Sequence, residues 1–505
     1  MHPSKYAATT PEKPAIIMGA SGVITTYAEL EARSNQGAHL FRSLGLQRGD
    51  TIAILLENVP EYFEIAWSAQ RSGLRYVCIS SRLTPAEAAY IIRDSNATLL
   101  ITSSKLAESV RDFPETLPDV RHFMLDQPWP GFENYLARRQ AMPTDRIADE
   151  SHGTDMLYSS GTTGRPKGIR APLPEGPIDT PPPIAALATG QFGFDDQTIY
   201  ICPAPFYHAA PLRWSMLVQR LGGTVIAMEK FDAEPALQLI ERYRVNAGQW
   251  VPTHFVRMLK MPDEVRARYD VSSLRIAIHA AAPCPVPIKK AMIDWWGAIL
   301  WEYYAGTESN GLTAIGAEEW LSHPGSVGRS MVGIARICDD AGELLPQGLE
   351  GLVYFQDGLP FEYHNDPEKT AESRNALGWT TLGDIGRLDE NGFLYLTDRK
   401  SFTIISGGVN IYPQEIENIL IAHSKVADAA VIGVPDEEMG ERVVAVIQPI
   451  DWQDANPVFA QDLVTYVRRH LAGLKVPRQI DFMRELPRQP TGKLYKRLIQ
   501  SSYRH

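Results

Sequence analysis

Apolar and polar residues alternate in blocks along the first hundred residues, and the blocks fit helices and strands in turn. Apolar positions at helical spacing predict three helices, and compact apolar runs between turn signals predict three strands. The predicted helices span Tyr27–Leu44, Pro60–Ser72 and Pro85–Ser95, and the predicted strands span Thr51–Leu56, Tyr76–Ile79 and Thr98–Ile101. Because parallel strands need crossover connections, this rhythm predicts an α/β fold with a mainly parallel sheet and helices packed on it.

The last hundred residues carry a second and smaller pattern. The predicted helices are Pro413–Ala422 and Asp462–Leu471, and the predicted strands are Val426–Val434 and Val443–Ile450. A hairpin-like arm, 392–399, precedes them. A unit of about a hundred residues can hold its own core. We therefore predict a boundary at Ser401, between a large N-terminal domain (residues 1–400) and a small α+β C-terminal domain (residues 401–505).

Composition narrows the class of protein. A chain of 505 residues, 44% hydrophobic and 22% charged, is typical of a globular protein of two or three domains, and its net charge of −11 argues against a nucleic-acid binder. The four cysteines lack C-x-x-C spacing, which predicts reduced thiols and a cytoplasmic location. We see no leader and no apolar run long enough for a membrane span, so we expect no integral membrane segment.

The segment Tyr158–Gly168 is the densest in chemistry. It reads Tyr-Ser-Ser-Gly-Thr-Thr-Gly-Arg-Pro-Lys-Gly and directly follows a short run suited to a buried strand end, 154–157. Glycines let the backbone turn tightly, and backbone N–H groups, hydroxyls and an ammonium together suit a polyphosphate. The alternative is a flexible surface loop. The proline-rich stretch 171–183 that follows is expected to be irregular.

This segment resembles the phosphate loop of the adenylate-forming superfamily, which includes acyl-CoA synthetases, luciferases and the adenylation domains of peptide synthetases. The resemblance runs from about Thr26 to Lys493, with the motifs in the family's order. It implies a β-barrel-like part in the N-terminal domain and a mobile C-terminal domain. It also implies that the loop binds ATP through Ser159, Ser160, Gly161, Thr162, Thr163, Gly164 and Lys167, with Thr163 and Lys167 assisting catalysis.

A second motif, Tyr304-Ala-Gly-Thr-Glu308, resembles the family's Tyr-Gly-x-Thr-Glu, with alanine and glycine exchanged. The resemblance implies that Tyr304 stacks on adenine, Thr307 bonds a phosphate oxygen and Glu308 binds Mg²⁺. A carboxylate is a suitable ligand for this hard cation. The alternative is a strand end that turns into a loop.

A third block ends at Asp384, and Arg399 follows on the arm. The resemblance implies that both residues bind the ribose of ATP. Leu382 stands where the family usually has threonine, which removes a hydroxyl near the nucleotide. Out of context, a buried aspartate is more often a structural cap or turn residue.

The C-terminal region carries the remaining family features. The resemblance makes Ser401 the hinge, although the family commonly has aspartate or lysine there. It places the pantetheine of coenzyme A beside Gly407 and Gly408, which are otherwise a simple turn. It assigns Lys493, in a shortened final motif, to the reacting carboxylate and the α-phosphate. A terminal lysine is otherwise a solvated charge.

The acyl site is predicted from fewer signals. By resemblance His208 gates acyl access, and Ala280, Ala281 and Ala282 border the acyl carbonyl. Trp214 and Trp250 are candidates for an apolar wall, and both also fit an ordinary core. Arg213 and Arg257 are the candidates that would hold a second carboxylate.

These features predict an ATP-dependent ligase that uses Mg²⁺, activates a hydrophobic fatty or polycyclic acid as an acyl-adenylate and transfers it to coenzyme A. Two alternatives stay open: an enzyme that loads a carrier-protein phosphopantetheine, and a non-catalytic ligand-sensing relative. The expected partners are therefore the acid, ATP and coenzyme A. A carrier protein and a homodimer are left open, and no nucleic acid is expected.

Overall fold

The computed structural model describes residues 1–159, 166–488 and 494–503. Its helices are α1 Pro3–Thr9, α2 Tyr27–Ser43, α3 Glu61–Arg71, α4 Pro85–Asp94, α5 Phe113–Thr116, α6 Tyr135–Gln140, α7 Ile184–Gly190, α8 Ala209–Leu221, α9 Ala233–Tyr243, α10 Pro252–Leu259, α11 Asp263–Arg266, α12 Val286–Trp296, α13 Ala317–Ser322, α14 Pro367–Glu372, α15 Pro413–Ala422, α16 Pro457–Arg468 and α17 Lys496–Ser501.

Its strands are β1 Pro14–Met18, β2 Ile24–Thr26, β3 Thr51–Leu55, β4 Arg75–Cys78, β5 Ala97–Thr102, β6 Arg121–Met124, β7 Glu133–Asn134, β8 Thr154–Asp155, β9 Leu157–Ser159, β10 Lys167–Arg170, β11 Ile199–Cys202, β12 Thr224–Ala227, β13 Ala247–Trp250, β14 Ile276–His279, β15 Leu300–Ala305, β16 Leu312–Gly316, β17 Arg329–Val332, β18 Ile334–Cys338, β19 Gly351–Gln356, β20 Glu362–Tyr363, β21 Thr380–Leu388, β22 Leu394–Arg399, β23 Ile404–Ser406, β24 Val409–Ile411, β25 Val426–Asp436, β26 Gly440–Pro449 and β27 Gln479–Phe482.

The chain forms two compact units. The first unit comprises Met1–Trp250, Glu264–Ala277 and Pro360–Thr370. One of its sheets has the order β7-β6-β5-β3-β4-β8 with every neighbouring pair parallel. Another run, β13-β11-β12-β1, is also parallel, and β2 adds antiparallel to its edge. A small antiparallel sheet, β20-β10-β9, carries the strands on either side of the glycine-rich segment.

The local sequence explains why the helices of this unit begin where they do. Thr26 and Glu29 form a reciprocal capping box at the start of α2, and Thr84 and Glu87 do the same for α4. Strand β3 is buried along its whole length, as expected for a central strand covered on both faces. These elements position β8 and β9 and therefore the start of the predicted phosphate loop.

The second unit comprises Val251–Asp263, Ile278–Leu359 and Ala371–His505. It holds the antiparallel run β15-β16-β17 and a four-stranded antiparallel sheet, β18-β19-β21-β22. Its C-terminal sheet, β24-β23-β26-β25, carries β27 parallel on β26. Apolar side chains of α15, α16 and this sheet form one buried cluster.

The predicted fold class is confirmed: the protein is a mixed α/β structure with parallel sheets. The helices and strands predicted in the first hundred residues are observed within about two residues of their predicted ends, as is normal for element boundaries. The predicted start of the helix at Asp462 is wrong, because α16 begins at Pro457. Asn456 caps it by accepting a hydrogen bond from the Phe459 N–H, and proline suits the first turn. The boundary at Ser401 stays a prediction. In the described part of the chain, no helix is long and apolar enough to cross a membrane.

Candidate active site

Three side chains from two motifs meet in the second unit. Tyr304 lies near the end of β15, and Asp384 and Arg399 lie directly opposite each other on β21 and β22. The Tyr304 hydroxyl donates a hydrogen bond to Asp384 Oδ2 over 2.6 Å, and Arg399 Nε lies 2.8 Å from Asp384 Oδ1. The Tyr304 ring stacks on Phe355 with centroids 6.1 Å apart. The structure therefore brings the predicted adenine and ribose residues together.

The electrostatics of this cluster follow from its one carboxylate. Burial and the negative charge of Asp384 raise the pKa of Tyr304 well above its usual value, so the phenol stays protonated and donates. The charge of Asp384 is also the main cause of the raised pKa of Arg399. The charge of Glu308 makes a smaller contribution to the raised pKa of both groups. The site thus combines a fixed cation, a phenol donor and two carboxylates.

The predicted Mg²⁺ ligand lies on a turn that follows β15. The Ser309 N–H donates to the Gly306 carbonyl over 3.1 Å, and Ser309 has a φ of 57°. This turn positions Glu308 and Thr307. Within the described residues no group of three or more His, Cys, Asp or Glu side chains is arranged to hold a metal ion. One carboxylate still fits Mg²⁺, because this ion is commonly held by one or two carboxylates together with substrate phosphates.

The glycine-rich segment is described at its two ends, in the first unit. Ser159 closes β9 and pairs with Lys167 on β10. Lys167 Nζ lies 3.2 Å from Asp366 Oδ2 and 5.9 Å from the centre of the Tyr363 ring. A hydrogen bond from the Lys369 backbone N–H, and then the charge of Lys167, lower the pKa of Asp366. The predicted phosphate-binding residues Ser160, Gly161, Thr162, Thr163 and Gly164 lie outside the described residues.

The two predicted pantetheine glycines form a hairpin turn. Gly407 and Gly408 connect β23 to β24, and their φ angles of 56° and 77° are both positive. Two-residue hairpin loops favour this geometry, which glycine adopts without strain. A Cβ on Gly408 would meet nothing within 4 Å. Ser401 lies in a short 3₁₀ segment, Lys400–Phe402, and Lys493 lies outside the described residues.

The predicted acyl residues of the first unit have different environments. His208 stands at the N-cap position of α8 without a capping hydrogen bond from its side chain, and its ring lies 4.6 Å from that of Tyr207. Trp214 and Trp250 are 1% and 0% exposed, as core residues are. Arg213 forms an ion pair with Asp155 over 2.8 Å, so its charge is already balanced within the chain.

The alanine turn lies in the second unit and follows β14. Ala280 is buried, Ala281 is exposed and Ala282 is intermediate. Ala281 has a φ of 75°, a left-handed conformation that is uncommon for alanine. A turn of unusual backbone conformation is a feature that periodicity does not predict.

His279, Lys289 and Glu302 form a buried charged cluster, which we call the sealed cluster. His279 directly precedes the alanine turn in the chain. Lys289 Nζ lies 2.6 Å from Glu302 Oε2, and His279 Nε2 lies 3.7 Å from the same oxygen. Lys289 also lies over the Trp320 ring at 4.8 Å. Sequence reasoning missed this ion pair, since neither Lys289 nor Glu302 stands in a recognisable motif. It missed Asp366 for the same reason.

Comparison with known proteins gives a consistent result over the whole chain. Residues 4–358 match the model described as AMP-binding enzyme, and residues 415–493 match that of the AMP-binding enzyme C-terminal domain. The chain is 32% identical to the long-chain-fatty-acid–CoA ligase FadD13 of Mycobacterium tuberculosis, over 98% of this chain and 97% of that protein. It is 30% identical to the fatty acid–[acyl-carrier-protein] ligase ScoC of Streptomyces coeruleorubidus, over 99% and 95%.

A solved structure gives the same fold. The structure of ATP-bound MatB from Rhodopseudomonas palustris superposes with a TM-score of 0.82 at 27% identity, over 100% of this chain and 99% of that one. The match covers the elements that carry Tyr304, Asp384 and Arg399.

Proposed function

This chain belongs to the AMP-binding enzyme family, and we propose that it activates a hydrophobic carboxylic acid with ATP and transfers the acyl group to coenzyme A. It is an ATP-dependent acid–thiol ligase. The observation that carries the proposal is the meeting of Tyr304, Asp384 and Arg399 beside the turn that bears Glu308. A carboxylate that accepts hydrogen bonds and an aromatic ring suit the sugar and base of a nucleotide.

The first half-reaction joins the acid to AMP. An oxygen of the substrate carboxylate attacks the α-phosphorus of ATP, a P–O bond forms, and the bond to the β-phosphate breaks to release pyrophosphate. Negative charge accumulates in this step, so fixed cations are the main catalytic device. We assign Lys493, Lys167 and the hydroxyl of Thr163 to this charge. Glu308 would hold Mg²⁺, which neutralises phosphate charge when bound.

The second half-reaction releases AMP. The thiol of coenzyme A loses its proton to solvent, its sulfur attacks the acyl carbon, the C–O bond to AMP breaks, and a thioester and AMP form. We propose that rotation of the C-terminal region about Ser401 removes Lys493 and brings the turn Gly407–Gly408 to the acyl-adenylate. Such domain motions let one site perform two steps.

The acid is proposed to be a fatty acid whose access is gated by His208; Trp214 and Trp250 are buried in the core of the first unit. The FadD13 and ScoC relatives are both named for fatty acids. Arg213 forms an ion pair with Asp155, so a second substrate carboxylate would have to compete with this partner. Each buried methylene contributes about 0.8 kcal/mol of binding, so acetate is expected to be a poor substrate. A polycyclic acid is the other candidate for an apolar pocket.

A second candidate function is the loading of a carrier protein, because ScoC is named for an acyl-carrier-protein acceptor. Both acceptors present the same pantetheine thiol, so the acid and nucleotide residues do not distinguish them. The difference lies in the surface that would receive a carrier protein.

The test is a product analysis with purified protein, ATP and Mg²⁺. Acetate, octanoate, palmitate and a polycyclic acid are each offered with free coenzyme A or with a phosphopantetheine carrier protein. We expect AMP and a palmitoyl-CoA thioester in equal amounts, with acetate much slower. Thioester on the carrier alone would replace the first proposal by the second. Absence of AMP with every acid would leave the ligand-sensing alternative.

A further inference from the structure

Two side chains border the space beside Gly306, on the turn that carries Glu308. A Cβ built on Gly306 would lie 2.3 Å from Leu382 Cδ1 and 2.7 Å from Glu308 Oε2. Both separations are shorter than real Cβ atoms show, so an added methyl group must displace the ends of both side chains or shift the turn itself. Leu382 and Glu308 therefore occupy the space that a side chain at position 306 would fill.

The backbone does not explain this glycine. The φ of Gly306 lies outside the left-handed region, in contrast to Gly383 with its φ of 79°. The φ at position 306 therefore does not require glycine. Close packing is the remaining reason for glycine here.

Leu382 connects the turn to the cluster of Tyr304, Asp384 and Arg399, which we call the nucleotide cluster. It lies on β21, two residues before Asp384, so the strand that carries the proposed ribose carboxylate also carries the side chain that contacts the turn. The two departures from the family motif, the alanine–glycine exchange at 305–306 and leucine at 382, meet at this contact. The Leu382 side chain fits beside position 306 because glycine has no side chain there.

We propose that Leu382 and Gly306 are positioning residues that together set the place of the Glu308 carboxylate. Leu382 fills one side of the space beside Gly306, and the carboxylate lies at another side. The inference rests on the proposed role of Glu308 as the Mg²⁺ ligand. A binding site works only when its groups are held within a fraction of an ångström of their productive places, so a methyl group that moves this carboxylate weakens the site.

The test is a mutant cycle of Gly306→Ala, Leu382→Ala and the double variant. The main readout is calorimetric titration of ATP at a series of Mg²⁺ concentrations, which needs no acyl chemistry. Steady-state kcat, KM and the unfolding midpoint are measured in parallel. We expect Gly306→Ala to raise the Mg²⁺ concentration at half effect by about tenfold, as is usual when a residue that supports a metal ligand is changed. The unfolding midpoint should change by less than about 2 °C, because both displaced atoms are ends of flexible side chains.

The double variant decides the proposal. The Leu382→Ala background removes the clash with Leu382 and leaves the 2.7 Å approach to Glu308 Oε2, so Gly306→Ala should still raise the Mg²⁺ concentration at half effect there, but by less than in the parent background. Gly473→Ala is the matched control, since a Cβ there meets nothing within 4 Å. An unchanged Mg²⁺ dependence in Gly306→Ala, or the same shift in both backgrounds, would overturn the inference. If the parent binds ATP with Mg²⁺ but turns over no acid, the proposed function fails while this cycle still gives its own answer.

Discussion

The second unit contains two clusters of similar composition and different accessibility. In the nucleotide cluster Asp384 pairs with Arg399, and in the sealed cluster Glu302 pairs with Lys289. The two carboxylates are almost equally buried, with side chains 8% and 7% exposed, whereas the cations differ: Arg399 is 33% exposed and Lys289 is 0% exposed.

The exposure of the cation therefore distinguishes a cluster suited to binding a ligand from one suited to stabilising the fold. A cation that keeps contact with water remains solvated when its partner is neutralised, so the cluster tolerates change and can exchange partners with a ligand. A cation without solvent depends wholly on its partner, and the loss of either charge leaves the other unpaired in a low-dielectric interior. We expect the nucleotide cluster to control activity and the sealed cluster to control stability.

The largest effect is expected from Lys289→Met. The buried carboxylate of Glu302 loses its partner, and breaking a buried pair in this way typically costs about 3–5 kcal/mol. Denaturant unfolding monitored by fluorescence measures the loss. Glu302→Gln added to Lys289→Met should recover much of it, because no charge then remains unpaired. Lys290→Met is the control: this neighbour pairs with Asp294 at the surface, where such pairs contribute about 0.3–0.5 kcal/mol. Equal losses in Lys289→Met and Lys290→Met would contradict the distinction.

The second largest effect is expected on the affinity for ATP, in the variant Asp384→Asn. Charge-assisted hydrogen bonds contribute about 1.5–3 kcal/mol each, so the loss of one predicts ATP binding weaker by roughly 10- to 150-fold. Isothermal titration with ATP and Mg²⁺ measures it, and the unfolding free energy should fall less than in Lys289→Met. Asp340→Asn, whose carboxylate is 82% exposed, should bind ATP like the parent. ATP affinity within twofold of the parent would make Asp384 a structural residue.

The sealed cluster is also expected to make the unfolding free energy depend on pH, through His279. Burial, and then the charge of Lys289, hold the pKa of His279 well below its usual value. The folded protein therefore keeps this ring neutral, while the unfolded chain takes up a proton as the pH falls below about 6.5. Stability is then lost on acidification, by about 1.4 kcal/mol per pH unit for this group. His279→Gln should reduce the slope of the unfolding free energy between pH 6 and 5. An unchanged slope would show that His279 is protonated in the folded state.

Particular residues show how much of the fold and of the candidate site follows from the sequence. The helix at Tyr27 and the strand at Thr51 follow from periodicity and turn signals alone, since both are local. Tyr304, Asp384 and Arg399 were identified by their motifs, and the structure adds that they share hydrogen bonds. Lys289 and Glu302 were missed because their pairing depends on tertiary packing of α12 against β15. Asp366 was missed because it meets Lys167 across nearly two hundred residues of chain.

The smallest effect is expected at the hairpin turn of the C-terminal sheet, which belongs to neither cluster. Asparagine tolerates the left-handed conformation of Gly408, so Gly408→Asn keeps the turn and adds bulk where a Cβ meets nothing. If pantetheine passes there, thioester formation should slow by about three- to tenfold while pyrophosphate release stays unchanged. Gly392→Asn, at another open left-handed glycine, is the control. Equal slowing of both half-reactions would argue against a pantetheine path at Gly408.

The most direct measurement is acid-dependent exchange of labelled pyrophosphate into ATP, made on the parent and on Asp384→Asn with palmitate and with acetate. Exchange reports the first half-reaction alone and needs no acyl acceptor. We predict exchange that requires the acid, is far faster with palmitate than with acetate, and falls by at least about tenfold in Asp384→Asn at limiting ATP. Exchange that is independent of the acid, or equal in the parent and the variant, would contradict an acyl-adenylating site at Tyr304, Asp384 and Arg399.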